Sequence, residues 1–301
     1  MKIPHKPDNL IIDDLKWKYL VRSVQRGKNI MLTGPSGCGK TLTVQSVAKA
    51  HPERKFFYFN LGATQDPRST LIGNTHYSSN VGTYVVESLF VKAIQTAGAI
   101  ILLDEITRAH PDAWNILMPV LDDGQRYLRI DEHPDTPTIS VAEGVSFLAT
   151  ANVGNEYTAS RTLDRALIDR FPVVIEMHPL DIGDEFDLLM SLHPDTKYET
   201  TLHNIAEIAH LTRKEVASNS PSVSTIISTR LTVEMAELLH DGFTLKEIAE
   251  VSIFPFFSGA GGVDSERTFM RQLVQKYYIV MNDHLQLQMN HFTQILQMDL
   301  L

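Results

Sequence analysis

A single cysteine in 301 residues excludes an intrachain disulfide framework. Long apolar runs are absent too. The longest, from Ala97 to Leu103, is far short of a bilayer span. The amino terminus, Met1-Lys2-Ile3-Pro4-His5-Lys6-Pro7-Asp8, has no apolar stretch of the kind a signal peptide needs, so the expectation is a cytoplasmic chain. Basic residues are in deficit, 27 Lys and Arg against 36 Asp and Glu, for a formal net charge of −9. That balance disfavours a broad nucleic-acid surface, which needs clustered cations, but leaves room for a locally basic pore in an oligomer. No run of like charge, low-complexity tract or internal repeat stands out. The twelve histidines form no H-E-x-x-H or other dense ligand spacing, so they are read as scattered surface or capping residues.

What is present is a hydrophobic fraction of 43% with 21% charged residues, enough apolar material for a sizeable core. The length suits one larger domain and one smaller one. Short apolar runs at 29–33, 56–60, 99–103, 145–150 and 173–177 read as buried parallel strands. Between them, helical patterns follow Thr41, extend from about Val85 to Thr96, and place Ala113, Ile116, Leu117, Val120 and Leu121 on one face. A short helix before residue 28 carries Leu15, Tyr19 and Leu20. Residues 62–82 read as irregular, and 125–146, broken by Pro134 and Pro137, as a long hairpin or insertion. Strands alternating with helices predict an α/β fold, a parallel sheet with helices on both faces. After Pro179 the strand signal stops. Two stripes, Ile205, Ile208, Ala209 and Leu211, then Leu231, Met235 and Leu238, predict a helical second domain. The expected division is a lead over 1–28, an α/β domain over 29–180 and a helical domain over 181–301. In the tail, Leu285, Met289, Phe292 and Leu296 fall on one helical face, suited to packing on its own domain or docking on a partner.

Residues Gly34-Pro35-Ser36-Gly37-Cys38-Gly39-Lys40-Thr41 fit G-x-x-x-x-G-K-[ST] without a mismatch, between a strand and a helix. Glycines let backbone N–H groups turn in around phosphates, and the following helix aims its positive end at them. Lys40 supplies charge to the β- and γ-phosphates of ATP, the Thr41 hydroxyl can ligate Mg2+, and Leu42 belongs to the same binding stretch. Asp104 and Glu105 end an aliphatic strand, where ligands gather in open α/β folds. Asp104 suits Mg2+, mainly through water, and Glu105 suits orienting and deprotonating a lytic water. Asn152 closes another strand on the same rim and can hydrogen-bond the γ-phosphate or that water. Arg165 and Arg170 would be surface ion-pair residues in a monomer. In a ring, either could reach a neighbour's γ-phosphate, and Arg170 is the first choice. Arg230, at a helix start in the second domain, could contact the same phosphates and couple domain angle to nucleotide state.

Taken in order, the P-loop, Asp104-Glu105, Asn152, Asp169-Arg170-Phe171 and Arg230 resemble the AAA+ ATPases, over roughly residues 28–275. Within them the chain is similar to the MoxR-type branch through Leu71-Ile72-Gly73, Leu103-Asp104-Glu105-Ile106-Thr107-Arg108-Ala109 and Leu121-Asp122-Asp123-Gly124. Ile227-Ser228-Thr229-Arg230 and Asp264-Ser265-Glu266-Arg267 are similar to the small ATPase subunit of aerobic cobaltochelatase, and rubisco and nitric oxide reductase activators share most of the pattern. The resemblance implies an AAA+ core followed by a small all-α lid. It also implies a homo-oligomeric, hexameric ring with loops over 73–84 and 125–144 at its pore, and a protein partner bearing a von Willebrand factor A domain.

The leading function is therefore a ring ATPase that remodels or activates a protein partner. The alternative is a motor or loader acting on nucleic acid, for which Arg126 and Arg129 are the sequence features. A third reading, a nucleotide-gated scaffold, is disfavoured by Glu105, since a scaffold needs no water-activating carboxylate. No membrane partner is expected.

Overall fold

A computed structural model describes residues 3–7, 9–78, 82–130, 137–152 and 164–278. The chain divides into two compact units, one running to His178 and the other beginning at Pro179. The first contains, in order, α1 (Asp14–Gln25), β1 (Ile30–Gly34), α2 (Lys40–Lys49), β2 (Phe56–Asn60), α3 (Pro67–Leu71), β3 (Gly73–Ser78), β4 (Gly82–Glu87), α4 (Leu89–Ile94) and β5 (Ile100–Asp104). It continues with α5 (Pro111–Leu121), β6 (Tyr127–Arg129), β7 (Thr138–Ser140), β8 (Ser146–Asn152), α6 (Arg165–Ile168) and β9 (Val173–Glu176).

Five of these strands form one parallel sheet in the order β2-β5-β8-β1-β9. Every residue of β5 is buried, because helices cover both faces. Alternation along the strand divides the core. Ile101 and Leu103 pack with Phe90, Leu117 and Phe147 on one face, whereas Ile100 and Leu102 pack with Val44, Val47 and Leu20 on the other. All the strands point the same way, so their carboxyl ends lie along one rim. Gly34 pairs in register with Asn152, and Asn60 with Asp104.

The second unit is helical over its described residues: α7 (Ile182–Leu192), α8 (Glu199–Val216), α9 (Thr229–His240), α10 (Leu245–Ile248) and a last helical stretch at 266–278. Ile205, Ile208, Ala209 and Met235 are buried in its core, with Leu211, Leu231 and Leu238 packed half-buried around them. A desolvated ion pair ties it together. Glu185, fully buried, receives both terminal nitrogens of Arg213 and the Thr232 hydroxyl at 2.6 Å. Among the described residues no helix is long and apolar enough to cross a membrane.

Local structure departs from the sequence expectation in three places. Residues 62–82 are not wholly irregular: Asp66 caps the short α3, and β3 follows. The helix expected from about Val85 begins only at Leu89, after the Ser88 cap, because Tyr84, Val85 and Val86 pair antiparallel with β3. β-branched and aromatic residues favour a strand when a partner is at hand, and that partner is invisible to local periodicity. In α1 the buried face is Trp17, Leu20, Val21 and Val24, while Leu15 and Tyr19 are exposed. Within 125–146, Tyr127–Arg129 pairs antiparallel with Thr138–Ser140, as β6 against β7. Leu285, Met289, Phe292 and Leu296 lie outside the described residues.

Candidate functional site

The nucleotide loop is fixed by strand geometry on one side and helix geometry on the other. β1 ends at Gly34 with φ 149°, and an added Cβ there would stand 2.2 Å from the Met177 carbonyl oxygen. Only glycine fits that approach. Gly39, at φ 86°, turns the chain into α2 as its N-cap. The first amides of that ten-residue helix have no partner within the helix and suit phosphate oxygens.

Lys40 is buried, and its Nζ donates to the carbonyls of Gly34 at 2.9 Å and Pro35 at 2.7 Å. Burial pushes the Lys40 ammonium below its ordinary value, an effect opposed by Cys38 and by the Asp104 and Glu105 carboxylates. Burial pushes the Cys38 thiol up, against the nearby Lys40, so it is a packing group rather than a reactive thiolate. Leu42 follows on the first turn of α2, with its side chain exposed.

Asp104 is buried at the end of β5 and accepts three hydroxyls. Thr41 Oγ1 lies 3.1 and 3.3 Å from its two oxygens, Tyr58 OH is 3.1 Å from Oδ2, and Thr150 Oγ1 makes a short bond to Oδ1. Hard oxygen donors of this kind fit Mg2+. No group of three or more His, Cys, Asp or Glu able to hold a metal occurs among the described residues. A cation at Asp104 would thus draw its other ligands from Thr41, water and phosphate.

Glu105 has the left-handed backbone φ 56°, ψ 43°, and among the non-glycine described residues only Arg126 shares its positive φ. Such a conformation costs about 1–3 kcal/mol and persists where surroundings enforce it. Here the Glu105 N–H donates to Thr150 Oγ1 at 2.9 Å, and Arg108 Nη1 contacts the carboxylate at 3.3 and 3.4 Å. Gly62 lies against the side chain, where an added Cβ would come within 2.4 Å of Glu105 Oε2. Asn152 ends β8 beside Gly34, and its N–H donates to the buried Thr107 hydroxyl at 3.3 Å.

The structure thus gathers Gly34 to Thr41, Asp104, Glu105 and Asn152 on one rim. The arginines are placed differently. Arg170 is engaged by its own unit: it donates to Met118 O at 2.9 Å and Ala166 O at 2.6 Å, and pairs with Asp122 at 3.2 Å. Arg165 begins α6, is exposed, and has no partner among the described residues. Arg230 lies on the first turn of α9 in the second unit. Arg126 turns inward, donating to Asn29 Oδ1 and Val145 O and lying over the Phe147 ring. Tyr58, Thr107, Arg108 and Thr150 were not singled out from the sequence. For Tyr58 and Thr150 the available signal was a hydroxyl residue two positions before each strand-ending asparagine, in F-F-Y-F-N and A-T-A-N.

Residues 29–171 match the AAA domain of the dynein-related subfamily. BssE of Thauera aromatica, a proposed chaperone, is 34% identical over 227 residues, covering 75% of this chain and 74% of that protein. A mitochondrial Lon protease homolog of Dictyostelium discoideum is 30% identical over 190 residues, 60% of this chain but only 19% of that much longer protein. A mutant of RuvB from Thermotoga maritima superposes with a TM-score of 0.52 at 14% identity, covering 93% of this chain and 74% of that one, a likeness of fold.

Proposed function

The chain belongs to the AAA+ ATPases, with an AAA domain of the dynein-related subfamily, and on that premise we propose that it hydrolyses ATP to remodel or activate a protein partner. The observation that carries this reading is the shared rim, where Thr41 of the P-loop bonds Asp104 and the Thr150 hydroxyl bonds both Asp104 and the Glu105 N–H. Gly34 to Leu42 hold the phosphates, and Lys40 supplies charge to them. Thr41 and Asp104 would hold Mg2+, which supplies charge neutralisation on the phosphate oxygens. Glu105 takes the proton of the attacking water, and Asn152 orients that water or the γ-phosphate.

The finer proposals are a homo-oligomeric ring, hexameric by resemblance, whose trans-acting arginine completes each site. Arg165 suits that role better than Arg170, whose guanidinium is already committed to Asp122 and two carbonyls. By the sequence resemblance, Arg230 is proposed as a further phosphate-contacting arginine. Likeness to a proposed chaperone supports a protein as the load. The MoxR-type and cobaltochelatase-like assignment, with a von Willebrand factor A partner and a cytoplasmic location, rests on the sequence resemblance alone. The nucleic-acid alternative loses one of its two supports, because Arg126 is turned inward onto Asn29 and Phe147.

Glu105→Gln tests the reading. It should bind ATP with near wild-type affinity and cut turnover by at least about a hundredfold, the scale of general-base catalysis. Rapid turnover by that variant refutes the assignment. The same variant, loaded with ATP, is the bait for a trapped partner. ATPase stimulation by DNA instead would favour the nucleic-acid alternative.

A further inference from the structure

The hydroxyl of Tyr58 has no place in the reading above, yet it ends on the metal-site carboxylate. Tyr58 belongs to β2, an edge strand, and the residue is 44% exposed. A tyrosine so placed can ordinarily send its hydroxyl to water. Here the hydroxyl points along the strand to Asp104 Oδ2 at 3.1 Å, although Tyr58 itself pairs with Leu102, two residues earlier on β5. From the opposite neighbour, β8, the buried Thr150 hydroxyl bonds the other oxygen, Oδ1. β5 lies between β2 and β8, so the carboxylate is held from both sides.

Geometry explains what the second side adds. The terminal torsion of aspartate is broad and roughly two-fold, so a bond to one oxygen leaves the carboxylate plane free to swing about that contact. A second donor on the other oxygen removes that freedom. Thr41 cannot supply it alone, because its hydroxyl is shared between Oδ1 and Oδ2 and is itself a cation ligand by the reading above. Resting on that reading of Asp104, we propose that Tyr58 is a positioning residue: with Thr150 it clamps the Asp104 carboxylate, one oxygen each, in the orientation that receives the hydrated Mg2+ of the bound nucleotide.

The test uses the full chain and ADP, which is not turned over, titrated with and without Mg2+. Tyr58→Phe removes one oxygen from a partly exposed ring, so the fold is retained and thermal unfolding verifies it. The Mg2+ concentration giving half-maximal enhancement of ADP binding should rise roughly tenfold, the scale of one hydrogen bond to a charged group. ADP binding in EDTA should stay within twofold of wild type, and excess Mg2+ should recover turnover. Thr150→Val should shift the same Mg2+ titration, and Thr150→Ser, which keeps the hydroxyl, should restore it. An unshifted Mg2+ titration for Tyr58→Phe overturns the proposal, as does an equal loss with and without the metal, which marks a packing role. Asp104→Asn separates the two levels. If that variant leaves the Mg2+ dependence intact, the reading of Asp104 fails. If it abolishes the dependence while Tyr58→Phe does not move it, only the clamp fails.

Discussion

Replacing Arg165 and Arg170 by alanine, one at a time, should separate transition-state stabilisation from fold stability. A trans-acting arginine on a γ-phosphate is worth roughly 10³–10⁵ in kcat, or about 4–7 kcal/mol of barrier. Arg165 is exposed and has no partner among the described residues, so Arg165→Ala removes little from the fold. It should lower hydrolysis by at least about a thousandfold and move the unfolding midpoint by no more than about 1 °C. Arg170→Ala removes a part-buried bond to the Met118 carbonyl, an exposed one to the Ala166 carbonyl and the partly exposed pairing with Asp122. Counting about 0.5–1.5 kcal/mol for each carbonyl bond and up to about 1 for the ion pair gives a loss of about 1–4 kcal/mol. For a unit of this size that lowers the midpoint by about 2–16 °C. The assays are steady-state phosphate release and thermal unfolding of each purified variant. Mixing supplies the trans test. Arg165→Ala subunits combined with Glu105→Gln subunits should regain activity, because some interfaces then pair an intact Glu105 with an intact Arg165. The reasoning is refuted if Arg165→Ala turns over normally while Arg170→Ala loses hydrolysis at an unchanged midpoint.

Gly62→Ala should reduce turnover while sparing ATP binding, since the new methyl would stand 2.4 Å from Glu105 Oε2 and must displace that carboxylate. Parallel binding and phosphate-release measurements check it, and unchanged turnover shows that this pose of Glu105 is not required. Arg213→Leu leaves the fully buried Glu185 carboxylate with the Thr232 hydroxyl as its remaining partner among the described residues and should cost about 3–5 kcal/mol in urea unfolding, whereas Arg213→Leu with Glu185→Leu should recover much of that loss. Cys38 should label slowly with a thiol reagent at neutral pH and rapidly after denaturation, because burial raises its pKa. Fast labelling of the folded chain contradicts its packing role.

The sequence by itself determined the α/β class, the five strands of the parallel sheet and the nucleotide loop, because each is written in local pattern. Buried parallel strands are short aliphatic runs, and the loop needs its glycines at fixed offsets. Asp104, Glu105 and Asn152 were legible for the same reason: polar residues that terminate apolar strands must emerge at the strand ends. Tertiary structure decided what depends on a partner distant in sequence. Residues 83–86 became a strand because β3 lies beside them, and α1 turned Trp17 rather than Leu15 inward because the sheet face selects one side. Only the sheet order β2-β5-β8 shows that Tyr58 and Thr150 flank Asp104. Whether an arginine is free or engaged is also decided in three dimensions. Arg165 and Arg170 lie five positions apart in one short segment, and only the packing of Arg170 against α5 and Asp122 distinguishes them.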